Sequence, residues 1–307
     1  MAKKIPYGLT DYFRIVTEDF YYVDKTKYIE DLEKTAAFLF LIRPRRFGKS
    51  LFLNMLNCYY DVKYADRFEE LFGNQYIGKH PTAEQGKYLV LRFNFSMVRA
   101  TDDKLEAAFN RHISLETAYF ASVYASYFKP DFQEQLKLIP EAAGRLEYIC
   151  LCAKEQGLSI YLLIDEYDNF TNTILSSKGN DVYHSLTHDS GFYRSFFYVV
   201  KGVTTGAEAP VKRMFITGVS PVTLDDVTSG FNIGTNITTD ERFNSMVGFS
   251  ESELHEMLSY YQSEGMLVDS IDDIVRMMKP WYDNYCFAKE CIGQTMYNSD
   301  MVLYFLN

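Results

Sequence analysis

The feature that most constrains this chain is a short apolar run that ends in a basic, glycine-bearing loop and continues into a helical pattern. Residues 38–42 (FLFLI) lead directly into Arg43-Pro44-Arg45-Arg46-Phe47-Gly48-Lys49-Ser50, and residues 51–60 (LFLNMLNCYY) follow with helical spacing. A strand, loop and helix in that order put a helix N-terminus, with its positive dipole end and open N–H groups, at the C-terminal end of the strand. The loop's end matches the second half of G-x-x-x-x-G-K-[ST], the pattern that cradles nucleotide phosphates. Gly48 permits the tight turn, Lys49 brings a point charge for the β- and γ-phosphates, and Ser50 offers a hydroxyl to Mg²⁺. Arg43 stands where the pattern has its first glycine, Pro44 stiffens the loop, and Arg45 and Arg46 crowd it with charge. The phosphate-contact candidates are thus Arg43, Pro44, Arg45, Arg46, Phe47, Gly48, Lys49 and Ser50, with the N–H of Leu51 completing an anion site at the helix start.

A bare G-K-[ST] recurs by chance, so a second feature decides the reading. Residues 161–166 (YLLIDE) form an apolar run ending in adjacent carboxylates. Two acids at the end of a buried strand are costly unless something cationic sits there. Asp165 suits Mg²⁺, held through its water shell with Ser50 as the other ligand, and Glu166 suits polarising an attacking water. The competing reading is a strand that simply exits into solvent at Asp165-Glu166-Tyr167-Asp168. A third run, residues 213–220 (RMFITGVS), ends in hydroxyls, and Thr217 and Ser220 are candidates for sensing a γ-phosphate or the water, against a plain turn.

Apolar runs at 38–42, 88–95, 159–164 and 213–217, with a weaker one at 233–238, are separated by helical stretches at 103–127 and 141–156. Near-continuous apolar strands alternating with helices predict a parallel α/β sheet covered on both faces. Residues 38–42 are expected as its central strand beside 213–217, with Gly48 and Asp165 at the same C-terminal edge. After Gly248 the texture changes. Ser250 and Glu253 form a capping-box signature, and 271–278 also reads as helix. This predicts an α/β domain over 1–247 and a small helical domain over 248–307. Residues 201–211 (KGVTTGAEAPV) read as an exposed loop.

Composition narrows the partners. Of 307 residues, 31 are Lys or Arg and 41 Asp or Glu, a formal net charge of −10. That balance argues against a broad electropositive surface for nucleic acid, and the arginines at 43, 45 and 46 more simply serve a nucleotide's own phosphates. A 47% hydrophobic content supplies a sizeable core and excludes disorder. No signal peptide or membrane-length apolar run is visible, and the odd count of five cysteines reads as reduced thiols in a cytoplasm. His184 and His188, four apart, could share a helix face as zinc ligands do. Without a third ligand nearby they read as polar residues on a solvated turn.

The chain resembles the bacterial AAA-ATPase-like family, whose members often carry a C-terminal PD-(D/E)XK nuclease-like domain. The matching stretches are IPYGLTDYF, YYVDKTKYIEDL, LIRPRRFGKSLFLNML, LIDEYDN, FITGVS, GFSESEL and WYDNYCF, in family order over nearly the whole chain. Family members usually lack the first glycine too, and usually read D-G-Y where this chain has Asp283-Asn284-Tyr285. The resemblance implies an ASCE-type P-loop NTPase core, a three-layer α/β/α sheet of order 5-1-4-3-2, and a helical lid. It also implies that residues 21–27 pack near the adenine. These 307 residues hold no separated D…(D/E)-x-K, so no nuclease activity is assigned to them.

The expected function is Mg²⁺-dependent binding and hydrolysis of a nucleoside triphosphate, ATP, by Lys49, Ser50, Asp165, Glu166 and Thr217. A partner domain or protein would be driven or gated. The rival is a nucleotide-gated regulatory module with little intrinsic hydrolysis. A P-loop kinase fits less well, because adjacent acids suit water better than a bound acceptor. Arg242, beside the expected domain junction, is a candidate arginine finger against an ordinary surface role.

Overall fold

A computed structural model of the chain describes residues 2–98, 104–188, 191–220, 234–283 and 285–307. The apolar runs assemble into one five-stranded sheet of β1 (Phe38–Ile42), β2 (Leu89–Asn94), β3 (Ile160–Asp165), β4 (Val211–Gly218) and β5 (Thr235–Asn236). Its order is β5-β1-β4-β3-β2, and every pairing is parallel. This is the 5-1-4-3-2 order implied by the resemblance. The middle position belongs to β4, with β1 beside it, which corrects the expectation of a central β1. The weak run near 233–238 contributes only the two residues of β5. Ile233, Asp103 and Asn284, which bear on that strand's start, on the start of a helix and on the Asp-Asn-Tyr turn, lie outside the described residues.

Side-chain alternation along each strand feeds two cores, one on each face of the sheet. Phe40, Leu91, Phe93, Leu162, Ile164, Met214 and Ile216 point into the core covered by helices Leu105–Val123, Ala142–Glu155 and Phe192–Thr204. Leu39, Leu41, Val90, Tyr161, Leu163 and Phe215 point into the other, covered by Tyr12–Thr17, Tyr28–Thr35 and Lys49–Tyr60. Parallel register then carries the ends of β1, β3 and β4 to a common edge, with Ile42 opposite Gly218 and Ile164 opposite Ile216.

Residues 201–204 are helical, not loop. Tyr193, Phe196, Phe197, Val200 and Thr204 are buried in one helical stripe. Burial of that stripe outweighs the low helix propensity of Gly202 and the threonines. The C-terminal portion has its own apolar cluster, built from Leu254, Met257, Leu258, Ile274, Met278 and Val302. It contains helices Glu251–Ser263, Ile271–Tyr282 and Ser299–Leu306, and a two-residue antiparallel pair of β6 (Phe249–Ser250) and β7 (Met296–Tyr297). The Ser250–Glu253 capping box is formed in both directions. Ile5, Tyr21 and Val23 of the N-terminal stretch pack against this cluster. Among the described residues no helix is long and apolar enough to cross a membrane.

Candidate functional site

Gly48 ends the loop after β1 in a left-handed conformation (φ 86°), and helix Lys49–Tyr60 begins at once with no side chain capping it. Its first N–H groups are therefore open to an anion. Lys49 is buried, and its Nζ reaches back over the loop to donate to the carbonyls of Arg43 (3.0 Å) and Pro44 (2.8 Å). Two of its three protons are used there, which leaves one donor. Burial pulls the Lys49 pKa below its ordinary value, against the fields of Asp165 and Glu166.

Arg43 has turned its side chain inward. Only 1% exposed, its guanidinium donates to the carbonyls of Ile42 (2.9 Å), Thr238 (2.7 Å) and Phe243 (2.9 Å), and stacks 4.0 Å from the Phe287 ring centre. Burial lowers its pKa to about 10. The residue that replaces the first glycine thus braces the loop entry and does not face the loop's interior. Arg45 and Arg46 are exposed. Arg46 sits at φ 69°, a left-handed backbone that costs a non-glycine residue about 1–2 kcal/mol unless its surroundings hold it. Phe47 is fully buried, edge-on to Tyr285 and Phe287.

Across the sheet edge, Asp165 is fully buried. Its Oδ1 accepts from Thr217 Oγ1 on β4 at 2.8 Å, and its Oδ2 has no partner among the described residues. A half-satisfied buried carboxylate is expensive, and a hydrated cation would complete it. That free carboxylate oxygen is of the hard donor type that Mg²⁺ takes. Glu166 adopts φ 51°, and one of its oxygens accepts from Asn169 Nδ2 at 3.1 Å. Burial first, and Asp165 second, raise its pKa above 4.5.

The reading of this acidic run as a strand leaving into solvent is excluded. Tyr167 and Asp168 are 2% and 1% exposed. Asp168, which the sequence reading left without a role, accepts from the N–H groups of Val219 and Ser220 and from Asn172 Nδ2. It anchors the turn after β4 to the acidic run. Ser220 is drawn into that anchor through both its N–H and its carbonyl, the latter accepting from the Tyr167 hydroxyl.

A cavity of about 310 Å³ opens at this edge. Its lining combines Arg46, Gly48, Lys49, Ser50 and Glu166 with Leu9, Tyr21, Tyr22, Val23, Met246, Phe249 and Met257. Phe47, Leu51 and Ser299 also line it, whereas Arg43, Pro44, Arg45, Asp165 and Thr217 do not. Lys25 lines it too, its Nζ bonded to both oxygens of Glu253 (2.6 and 2.7 Å) and to the Ser245 carbonyl (2.9 Å). This pair joins the N-terminal stretch to the first C-terminal helix. Neither partner was singled out for it, because they lie 228 residues apart; the capping box marked Glu253 only as a local feature. Arg242 pairs with Asp240 at 2.6 Å on the surface, about half exposed. His184 and His188 contact each other through Nδ1 at 3.1 Å, and no group of three or more potential metal-binding His, Cys, Asp or Glu residues occurs among the described residues.

Over 312 aligned residues the chain is 26% identical to a protein of Azotobacter chroococcum mcd 1 described as "Uncharacterized protein in vnfD 5'region". The match covers 99% of this chain and 52% of that protein, so the chain spans about half the length of this curated relative. No solved structure matches it. A family profile described as predicted AAA-ATPase matches residues 6–228. With its parallel sheet, its glycine-lysine-serine helix start and its buried acid at the end of β3, one strand removed from β1, the chain belongs to this AAA-ATPase-like family.

Proposed function

We propose that the chain binds ATP with Mg²⁺ through an ASCE-type P-loop core and hydrolyses it, with residues 248–307 acting as a lid and the nucleotide state gating a partner domain or protein. The observation that carries this reading is a cavity whose lining combines a cationic loop and a carboxylate with tyrosines and aliphatic side chains. A triphosphate with a planar base matches that combination. Lys49 and the N–H groups of the following turn would hold the phosphates, and Ser50 and Asp165 would hold the metal. Mg²⁺ bound there neutralises charge on the β- and γ-phosphates. Thr217 fixes the Asp165 carboxylate, and Glu166 lines the cavity where it would orient a water.

The test pairs two variants. Lys49→Ala removes a charge that meets nucleotide in ground and transition states alike, so binding and turnover fall together. Glu166→Gln keeps shape while removing the carboxylate, so affinity for a fluorescent ATP analogue stays near wild type and phosphate release falls roughly 10²–10⁴-fold. Absence of binding at millimolar nucleotide and Mg²⁺ would refute the reading. A second reading, a nucleotide-gated module with little turnover, draws support from Lys49, whose ammonium is held by its own loop. Phosphate release from wild type as slow as from Glu166→Gln, with tight binding in both, would select it.

A further inference from the structure

The carbonyls of the phosphate loop are not left to solvent. The Arg45 carbonyl accepts from Asn298 Nδ2 at 3.2 Å, and the Arg46 carbonyl accepts from Ser299 Oγ and from the Asp300 N–H, both at 3.2 Å. The Phe47 carbonyl accepts from the Gly248 N–H at 2.9 Å. Arg46 NH1 lies 3.5 Å from Asp300 Oδ2. Three successive loop carbonyls are thus held by residues about 200 to 250 positions away, all of them in the C-terminal portion. A nest that binds phosphate needs its N–H groups turned inward and its carbonyls outward. Arg46 has no glycine's freedom to hold its left-handed backbone at φ 69°, so the donors on its carbonyl are what fix it there.

We propose that Asn298 and Ser299, at the start of the last helix, are positioning residues of the phosphate loop. Nucleotide affinity and the docking of helix Ser299–Leu306 are then coupled, and by reciprocity bound nucleotide protects that helix. The proposal rests on the nucleotide reading above but can fail separately from it.

Asn298 also caps the last helix, its Oδ1 accepting from the Met301 N–H. Asn298→Ser keeps a capping hydroxyl, since Ser and Asn cap about equally well, and removes the amide donor to Arg45 without adding charge. Ser299→Ala removes the donor to Arg46, and Ser299→Thr keeps a hydroxyl. Ser299 also lines the cavity, so loop exchange without nucleotide, which a direct nucleotide contact would not change, is what assigns the positioning role. The experiment measures three quantities on the full chain: affinity for a fluorescent ATP analogue with Mg²⁺, amide hydrogen exchange at residues 45–51 without nucleotide, and thermal unfolding without nucleotide. For the Asn298→Ser, Ser299→Ala double variant, affinity is expected to fall roughly tenfold or more, the worth of two lost hydrogen bonds. Loop exchange should quicken while the unfolding midpoint stays close to wild type, and Ser299→Thr should bind as wild type does. A double variant that binds as tightly as wild type overturns the proposal and leaves the nucleotide reading standing. If wild type itself binds no nucleotide, the functional reading falls. Loop exchange then decides the positioning claim alone, and unchanged exchange overturns it.

Discussion

The two halves of the site are held in different ways. The acidic half belongs to the sheet: Asp165 is held by Thr217 on the adjoining strand, and Asp168 by the N–H groups of Val219 and Ser220 just beyond it. The phosphate loop is held from outside the sheet's core, by Thr238 and Phe243 through Arg43 and by Gly248 and residues 298–300 through its carbonyls. Acids positioned by a buried parallel sheet stay in place as long as the domain is folded. A loop positioned by the C-terminal portion is complete only while that portion is docked. The difference implies that a conformational signal would enter through the loop, with the carboxylates as the fixed reference.

The sharpest way to break this comparison is to loosen the docking where it is most buried. Glu253→Met removes one partner of the Lys25–Glu253 pair, whose side chains are 8% and 20% exposed. Losing one member of a buried pair strands the other, and about 3 kcal/mol of stability is expected to go. Urea unfolding would measure that loss. If the loop depends on docking, nucleotide affinity falls as well, even though Glu253 does not line the cavity and its loss frees the Lys25 ammonium there, which by charge alone would favour a triphosphate. Unchanged affinity would mean that the loop holds its shape alone.

Asp168→Ala tests the other half. It leaves the Val219 and Ser220 N–H groups and the Asn172 amide without their acceptor in a buried turn. The expected cost is about 2 kcal/mol, read from the denaturation midpoint. Turnover should fall through displaced acids while the loop's hydrogen exchange stays as in wild type. Quickened exchange in the loop would show that the two halves are not independently held.

What the sequence disclosed divides along the same line. The strands and the placement of Gly48, Lys49 and Asp165 at strand ends are written in contiguous patterns: apolar runs of strand length, a turn glycine, acids at a strand end; the sheet order came only through the family resemblance, since apolar runs alone put β1 at the centre where β4 stands. The bracing of the loop is not, because its partners are 195 to 254 residues distant. Arg43, Arg45 and Arg46 look alike as letters in a basic loop. Arg43 alone is buried, and its guanidinium finds carbonyls that only the folded chain gathers. Asn298 did carry a local signal, an Asn ahead of an apolar helical run, but a capping signature does not reveal that the same amide also reaches the Arg45 carbonyl. Asp168 was hidden for the opposite reason, three residues beyond a more conspicuous acid.

The smallest expected effect concerns pH and separates Glu166 from its fixed neighbour. Burial and the nearby Asp165 carboxylate hold the Glu166 pKa above 4.5 in the nucleotide-free protein, with Lys49 opposing. A carboxylate whose pKa is raised on folding binds more protons in the native state, so it lowers stability as pH climbs from the unfolded pKa through the folded one. For catalysis the sign is direct: Glu166 must be ionised to orient water, so kcat/KM should rise with pH along an acid limb displaced upward from the ordinary carboxylate range. Asp165→Asn would abolish metal holding and could not report this cleanly, whereas Arg45→Ala leaves both acids present and removes a positive charge that favours the ionised form of Glu166. Arg45 is exposed and does not line the cavity, so its loss leaves the acids in place. The Glu166 limb should therefore move toward higher pH in Arg45→Ala. A pH series of phosphate release at subsaturating ATP would measure it, and a limb that moves the other way would mean that the charge of the phosphate loop does not reach the acid.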